Sequence, residues 1–306
     1  MMTTTKNPYH SNPPKLIPSF VCHVDILGYT QLSKEAITSG NGDVFLNKIR
    51  LALTEAYDRV RKSSKGWSNN HRFSIKVFTD NIVVGYPVMN FQISLGEEEL
   101  GHIFSIFSEF QVALAMEGFL VRGGIAFGNH YMDEDIVFGD ALLEAVKLDS
   151  TGGAPKVSLS PSAVEVLQHH LGFYSNPEHS PQSHDLLEDS DGSVFINYLE
   201  NAFIAFPEGG IFFEVFEKHR NTIVDGLKKH SGFPDVRAKY EWAARYHNFV
   251  CEDFQVKHPV PTSPDADELY AAATIEARRL TEYKIDIESL APAPGRLKLP
   301  PIRLGA

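Results

Sequence analysis

The sequence predicts an α+β fold: a ferredoxin-like, split βαβ sheet flanked by helices, with further helices C-terminal to it. Three observations lead there. β-rich and helical stretches follow one another as β-α-β-β-α-β from about residue 19 onward. The two central strands are separated only by Thr79-Asp80-Asn81, a hairpin signal. From about residue 202 the pattern becomes helical and stays so.

The elements follow in order. Residues 1–17 are polar and Pro-rich, the composition of a flexible arm. Residues 19–25 form an apolar strand that ends on Asp25, and a helix opens after Gly28. In "NGDVFLNKIRLALTEAYDRVRKS", Val44, Phe45, Ile49, Leu51, Leu53 and Tyr57 recur near helical spacing, which predicts a long amphipathic helix. "RFSIKVFTDNIVVGYPV" is the hairpin, and "EELGHIFSIFSEFQVALAMEG" a second helix with Gly118 just past its end. "FLVRGGIAFGNHYMDEDIVFG" reads as two strands broken at Gly128-Asn129. "DALLEAVKLDS" is a short helix, "KVSLS" a strand, "PSAVEVLQHHL" a helix opened by Ser160, and "SVFINYL" a late strand. Two helices then cover "EGGIFFEVFEKHRNTIVDGLKKHSG" and "PDVRAKYEWAARYHNFVCEDF". "HPVPTSPDADE" is a linker, a helix follows to about Tyr283, and a Pro-rich tail closes the chain. The expected units are an arm over 1–17, a catalytic domain over 18–200, a helical extension over 201–256, and linker plus tail over 257–306.

Composition excludes several function classes. A chain that is 43% hydrophobic and 22% charged is ordinary for a globular protein with a sizeable core. No apolar run approaches the roughly 20 residues a bilayer requires, and the N-terminal stretch has no apolar signal core. A cytoplasmic protein without membrane insertion is expected. Cys22 and Cys251 are the only cysteines, which excludes a cysteine metal knot. A net charge of −11 argues against a nucleic-acid partner, since phosphate backbones demand a basic surface. No G-x-x-x-x-G-K-[ST] motif occurs, so a P-loop is excluded.

The informative feature is a pair of carboxylates. A lone Asp at a strand end or in a turn is ordinarily a structural residue. In a split βαβ sheet, however, strand one lies beside the strand after the hairpin. Asp25, ending the first strand, and Asp80, at the hairpin tip, are therefore expected to meet although 55 residues separate them. Paired carboxylates at strand ends suit hard divalent cations that bridge to phosphates. Behind Asp25, Leu27, Gly28, Tyr29 and Thr30 present backbone amides at a helix start, a place suited to phosphate, and Gly28 permits a tight turn. Carboxylates, cations and amides together suggest in-line chemistry on a nucleoside triphosphate.

"VDILGYTQLS", "IKVFTDNIVVGYP" and the run from "VRGGIAFGN" through "IVFGDALLEAVKLDS" together resemble the class III nucleotidyl cyclases, over roughly residues 18–165. The resemblance implies that Asp25, Asp80 and the Ile26 carbonyl hold two Mg²⁺ or Mn²⁺ ions. It implies a 3′-hydroxyl attacking the α-phosphorus to give a 3′,5′-cyclic nucleotide and pyrophosphate. It also implies a homodimer with active sites at the interface, metal half from one subunit and base-reading half from the other.

Two positions depart from the family. Where members carry Asn and Arg in "VNxAxR", this chain has Leu143 and Lys147 in "LLEAVKL". Lys147 can bring charge to the α-phosphate as a point charge, not a planar fork; Leu143 can make no hydrogen bond. Lys76 takes the place of the base-reading lysine, but its partner carboxylate position falls on Ile136, with Asp135 adjacent. A broken purine-reading pair agrees with a pyrimidine substrate. Within the class, "VRGGIAFGN", "GDALLEAVKLD" and "VRAKYEWAARYHN" are most similar to the bacterial antiphage Pycsar cyclases, which make cyclic UMP or cyclic CMP as a messenger for a separate effector protein. UTP is favoured over CTP. The rivals are an adenylate or guanylate cyclase, and an inactive cyclase-like nucleotide-binding module.

Other residues have plainer expectations. Arg122 is a strand arginine expected to pair with a carboxylate, and Asp133-Glu134-Asp135 a solvated loop. His169-His170 lack a third zinc ligand. Phe212, Phe213 and Phe216 are expected on the buried face of a helix. Trp242, Tyr246 and His247 serve either core packing or an interdomain or dimer contact.

Overall fold

The computed structural model describes residues 7–64, 72–78, 80–89, 91–150, 153–203, 206–263, 265, 267–288 and 292–303. Thr79 of the hairpin signal lies outside the described residues. The N-terminal part of the chain is β1 (Ile17–Ile26), α1 (Tyr29–Thr38), α2 (Gly42–Ser64), the hairpin strands β2 (Ser74–Phe78) and β3 (Asn81–Pro87), α3 (Phe91–Ser94) and α4 (Glu97–Met116). β4 (Val121–Met132), β5 (Val137–Gly139), α5 (Asp140–Ser150), β6 (Val157–Leu159) and α6 (Pro161–Gly172) follow. After α7 (Gln182–Asp185), β7 (Leu186–Glu188) and β8 (Val194–Ile196) come α8 (Phe213–Lys229), α9 (Pro234–Lys257), α10 (Glu268–Ala277) and β9 (Gly295–Arg296).

The strands form one mixed sheet in the order β2-β3-β1-β4-β6-β8-β7-β9, with β5 paired to β4. Its first four strands are the split βαβ arrangement expected from the sequence. β1 lies between β3 and β4, antiparallel to both, with Val24 opposite Ile82 and Asp25 opposite Arg122. β1 is apolar without alternation because both its faces are covered. Phe20, Cys22 and Val24 face the large core beneath α2 and α4, while Val21 faces a smaller cluster with Val83, Ala126, Ala141 and Ala145 beneath α5.

Several boundaries differ from the sequence reading. β4 is not broken at Gly128-Asn129: these residues pair with Ser19 and Pro18, so the ladder runs straight through. The turn falls at 133–136, where the Asp133 carboxylate accepts from the amides of Asp135 (2.9 Å) and Ile136 (2.7 Å). The late strand is only Val194–Ile196 and passes into a 3₁₀ turn at Tyr198–Ala202. Its hairpin partner β7 and the tail strand β9, which places Arg296 opposite Leu187, are too short for periodicity to reveal. Phe216 is buried as expected, but Phe212 lies 49% exposed because it precedes α8 and is outside its apolar stripe.

The C-terminal helices share the core with the sheet. Trp242 packs on Phe195 and donates from Nε1 to Asp189 (2.7 Å), tying α9 to the β7–β8 hairpin. A buried hydrogen-bond chain locks α8 to α9. His247 Nε2 lies 3.0 Å from the Tyr283 carbonyl, which can only accept, so this nitrogen carries the proton. With His247 neutral, its Nδ1 then accepts from His219 Nδ1 at 2.9 Å, and His219 Nε2 accepts from the Tyr198 hydroxyl at 2.7 Å. The neutral tautomers are thereby fixed and each ring nitrogen is satisfied.

α8 and α9 also meet at Gly226, where a Cβ would fall 2.1 Å from the Tyr240 ring. Gly226→Ala is expected to destabilise the protein. Overpacking costs about 1–3 kcal/mol and the helix-propensity gain of about 1 kcal/mol offsets only part of it. Thermal melting checks this: a lowered Tm is expected in Gly226→Ala, and in Gly226→Ala/Tyr240→Ala the loss should be clearly smaller than the sum of the two single losses, because removing the ring relieves the clash.

Candidate functional site

The polypeptide turn after β1 decides the geometry. Leu27 donates its amide to the Leu120 carbonyl (2.8 Å), and Gly28 follows in the left-handed region at φ 75°, where a side chain would be strained. Gly28 is the N-cap of α1 and, having no side chain, offers no cap. Leu32 makes the first helical bond, to the Gly28 carbonyl (2.9 Å). The Tyr29, Thr30 and Gln31 amides therefore enter the helix with neither a helical acceptor nor a capping side chain.

These amides open onto a cavity of about 630 Å³. Its lining includes Asp25, Ile26, Leu27, Gly28, Tyr29, Thr30 and Asp80. The seven expected metal-binding and phosphate-binding residues thus converge, with one refinement: the Leu27 amide is already engaged, so the unengaged donors begin after it. Asp25 and Asp80 meet as the strand order requires, their carboxyl groups within hydrogen-bonding reach. Burial, and then the Asp80 carboxyl, push the Asp25 acid up from its ordinary value to about 7, against the opposing pull of Arg122.

Arg122 answers the expectation of a carboxylate partner twice over. Its Nη2 lies 3.1 Å from Asp25 Oδ2 and its Nε 2.9 Å from Asp149 Oδ1. Asp149, at the end of α5, also stands 3.8 Å from His23 Nδ1. Asp25 Oδ1 is buried and accepts no hydrogen bond from the described residues. A buried carboxylate oxygen without a donor, facing a second carboxyl, fits a hard divalent cation. Among the described residues no group of three His, Cys, Asp or Glu side chains is arranged to hold a metal. Any further ligands at this pair would be backbone or substrate oxygens.

Lys76, Ile136 and Lys147 lie outside this cavity. Lys76, opposite Val83 on β2, stands near the 133–136 turn, where its charge acts on Asp133. The Asp133 carboxyl is held at about 2, first by the Tyr131 hydroxyl (2.6 Å) and by the Ile136 and Asp135 amides, with Lys76 contributing. Ile136 is 55% exposed, and so is Leu143, on α5, at 72%.

The opposite wall of the cavity comes from the C-terminal helices: Lys229, His230, Phe233, Val236, Lys239 and Tyr240. Lys229 Nζ binds Glu35 of α1 at 2.6 Å, joining the two walls. Sequence reasoning missed this wall. The available signal was the crowding of cations in "LKKHSGFPDVRAK" between two predicted helices.

No protein-family model and no curated protein matches the chain. Among solved structures, the chain is similar to a class III adenylyl cyclase-like ATP-binding protein from Pseudomonas aeruginosa. That match has 10% identity and a TM-score of 0.39, and it covers 52% of this chain and 37% of the other. The chain therefore spans well under half the length of that protein. No described helix is long and apolar enough to cross a membrane.

Proposed function

We propose that this chain is a metal-dependent nucleotidyl cyclase that converts a pyrimidine nucleoside triphosphate, UTP before CTP, into a 3′,5′-cyclic monophosphate and pyrophosphate. The observation that carries the reading is the meeting of Asp25 and Asp80 beneath the uncapped start of α1, in one cavity. Mg²⁺ or Mn²⁺, two ions per site, would acidify the ribose 3′-hydroxyl and neutralise charge on the phosphates. Asp25, Asp80 and the Ile26 carbonyl would hold the ions. The Tyr29, Thr30 and Gln31 amides would receive phosphate oxygens at the positive end of the helix. The 3′-oxygen, its proton passing to solvent, would form its bond to the α-phosphorus as the bond to the bridging oxygen breaks, and pyrophosphate would leave with that electron pair.

The base-reading half, Lys76 with the 133–136 turn, and Lys147 lie off the cavity of the same chain, which suits a site completed by a second copy. Phe78, Ile136, Phe138 and Leu143, exposed by 49, 55, 63 and 72%, are apolar side chains such an interface would bury. The resemblance to Pycsar cyclases extends the reading to a cytoplasmic antiphage enzyme whose product acts on a separate effector.

A second reading, an inactive nucleotide-binding module, draws on Leu143, which cannot position a ribose. Incubating the purified protein with each of the four NTPs and Mn²⁺, with products read by mass spectrometry, decides. Cyclic UMP or cyclic CMP is the expected product. Cyclic AMP or cyclic GMP alone would move the substrate to a purine, and binding without turnover would favour the module.

A further inference from the structure

The cavity is lined by three carboxylates, Asp25, Asp80 and Glu35, and by the cations Arg122, Lys229 and Lys239. Two of the cations are already matched. Arg122 bridges Asp25 and Asp149, and Lys229 binds Glu35. Lys239 has no salt bridge or hydrogen bond among the described residues. It is half-buried on α9, and Asp235, one helical turn away, attracts it only from beyond ion-pair distance. Burial, and then the like charge of Arg122, hold its ammonium below the ordinary lysine range. A cation desolvated beside another cation is costly unless an anion joins them. Independently, the α1 amides that line the same cavity lack a cap, and they too call for an anion.

We propose that Lys239, supplied by the C-terminal helices, grips the terminal phosphates of the nucleoside triphosphate. The proposal rests on the functional reading above and gives α8 and α9 a part in the site: they form the cationic wall facing the acidic pair. A lysine suits that wall because its flexible stem and point charge can follow phosphates that shift during the reaction. Arg122, pinned by two carboxylates, cannot move to do so.

The test measures binding to the full chain in Mn²⁺ with three probes: UTP, UMP and inorganic tripolyphosphate. Lys239→Met is expected to weaken UTP and tripolyphosphate about 10- to 100-fold, the range for a charge-assisted hydrogen bond. UMP and Mn²⁺ binding should be unchanged, Lys239→Arg should keep most of the affinity, and Lys228→Met should match wild type. Should Met lower the melting temperature, Lys239→Gln is read instead. Wild-type tripolyphosphate affinity in the folded variant overturns the proposal, as does failure of the wild-type protein to bind either polyphosphate. If tripolyphosphate binds through Lys239 and no cyclic product forms from any NTP, the phosphate grip stands and the cyclase reading falls.

Discussion

If the proposed cyclase reading holds, Asp80→Ala is expected to lower turnover with every nucleoside triphosphate by at least about 10³-fold while the protein stays folded and keeps the wild-type assembly state. Electrostatic help from a catalytic cation is worth several kcal/mol, and each 1.36 kcal/mol is tenfold in rate. Loss of half the carboxylate pair forfeits most of it. Folding should not suffer, because Asp80 is partly exposed at the hairpin tip and its carboxyl raises the Asp25 acid rather than stabilising it. In the variant, Asp25 is left with burial, Asp149 and Arg122, so its acid should fall from about 7. Initial rates by mass spectrometry, with light scattering for assembly, check both halves. Wild-type rates in this variant would remove the metal assignment.

The second large effect is on stability in acid. Burial pushes the His247 imidazole down to about 4, while the unfolded chain titrates near 6.5. The unfolded state therefore binds more protons between those values, and His247 costs the fold stability as pH falls from about 6.5 to 4. That span is worth about 3–4 kcal/mol at about 1.4 kcal/mol per pH unit. Below it the buried chain linking Tyr198, His219, His247 and the Tyr283 carbonyl must accept a charge, and protonation of His247 Nδ1 turns the donor of the His219 contact around, so that His219 must change tautomer to keep it.

Asp25 and Asp185, whose acids burial raises to about 7 and about 6, take up protons on folding and oppose the trend over part of that window. The prediction is consequently a difference between proteins. His247→Gln keeps an amide donor for Tyr283 and an oxygen for His219, so it should fold. Its Tm should fall less steeply than that of wild type between pH 6.5 and 4. Parallel curves would mean that His247 does not carry the acid sensitivity.

Much of the architecture was legible before any coordinates. A continuous apolar run marked β1, β-rich runs marked β2 to β4, and a 3.6-residue repeat marked the long helices, whose length lets burial of one face express itself as a period. Helix starts with local chemistry were equally plain: Ser160 caps α6 by accepting from the Ala163 amide (3.3 Å). β7, β8 and β9 were truncated or missed because two or three residues hold no period. The break placed at Gly128-Asn129 failed for another reason. Glycine and asparagine signal a turn locally, but pairing with Pro18 and Ser19 on β1 overrides that preference.

The candidate site divides along the same line. That Asp25, Gly28 and Asp80 come together on the β1–α1 side followed from the sequence, since they occupy positions that strand ends and turns mark locally, and strand order alone brings the two acids together. Only the tertiary structure decided that Arg122 bridges Asp25 and Asp149, that the charge of Lys76 reaches Asp133, and that Lys229 and Lys239 wall the cavity opposite α1. Those neighbours are set by how α5 and the α8–α9 pair pack on the sheet. Packing is a contest among side-chain volumes far apart in the chain, and no local pattern records its outcome.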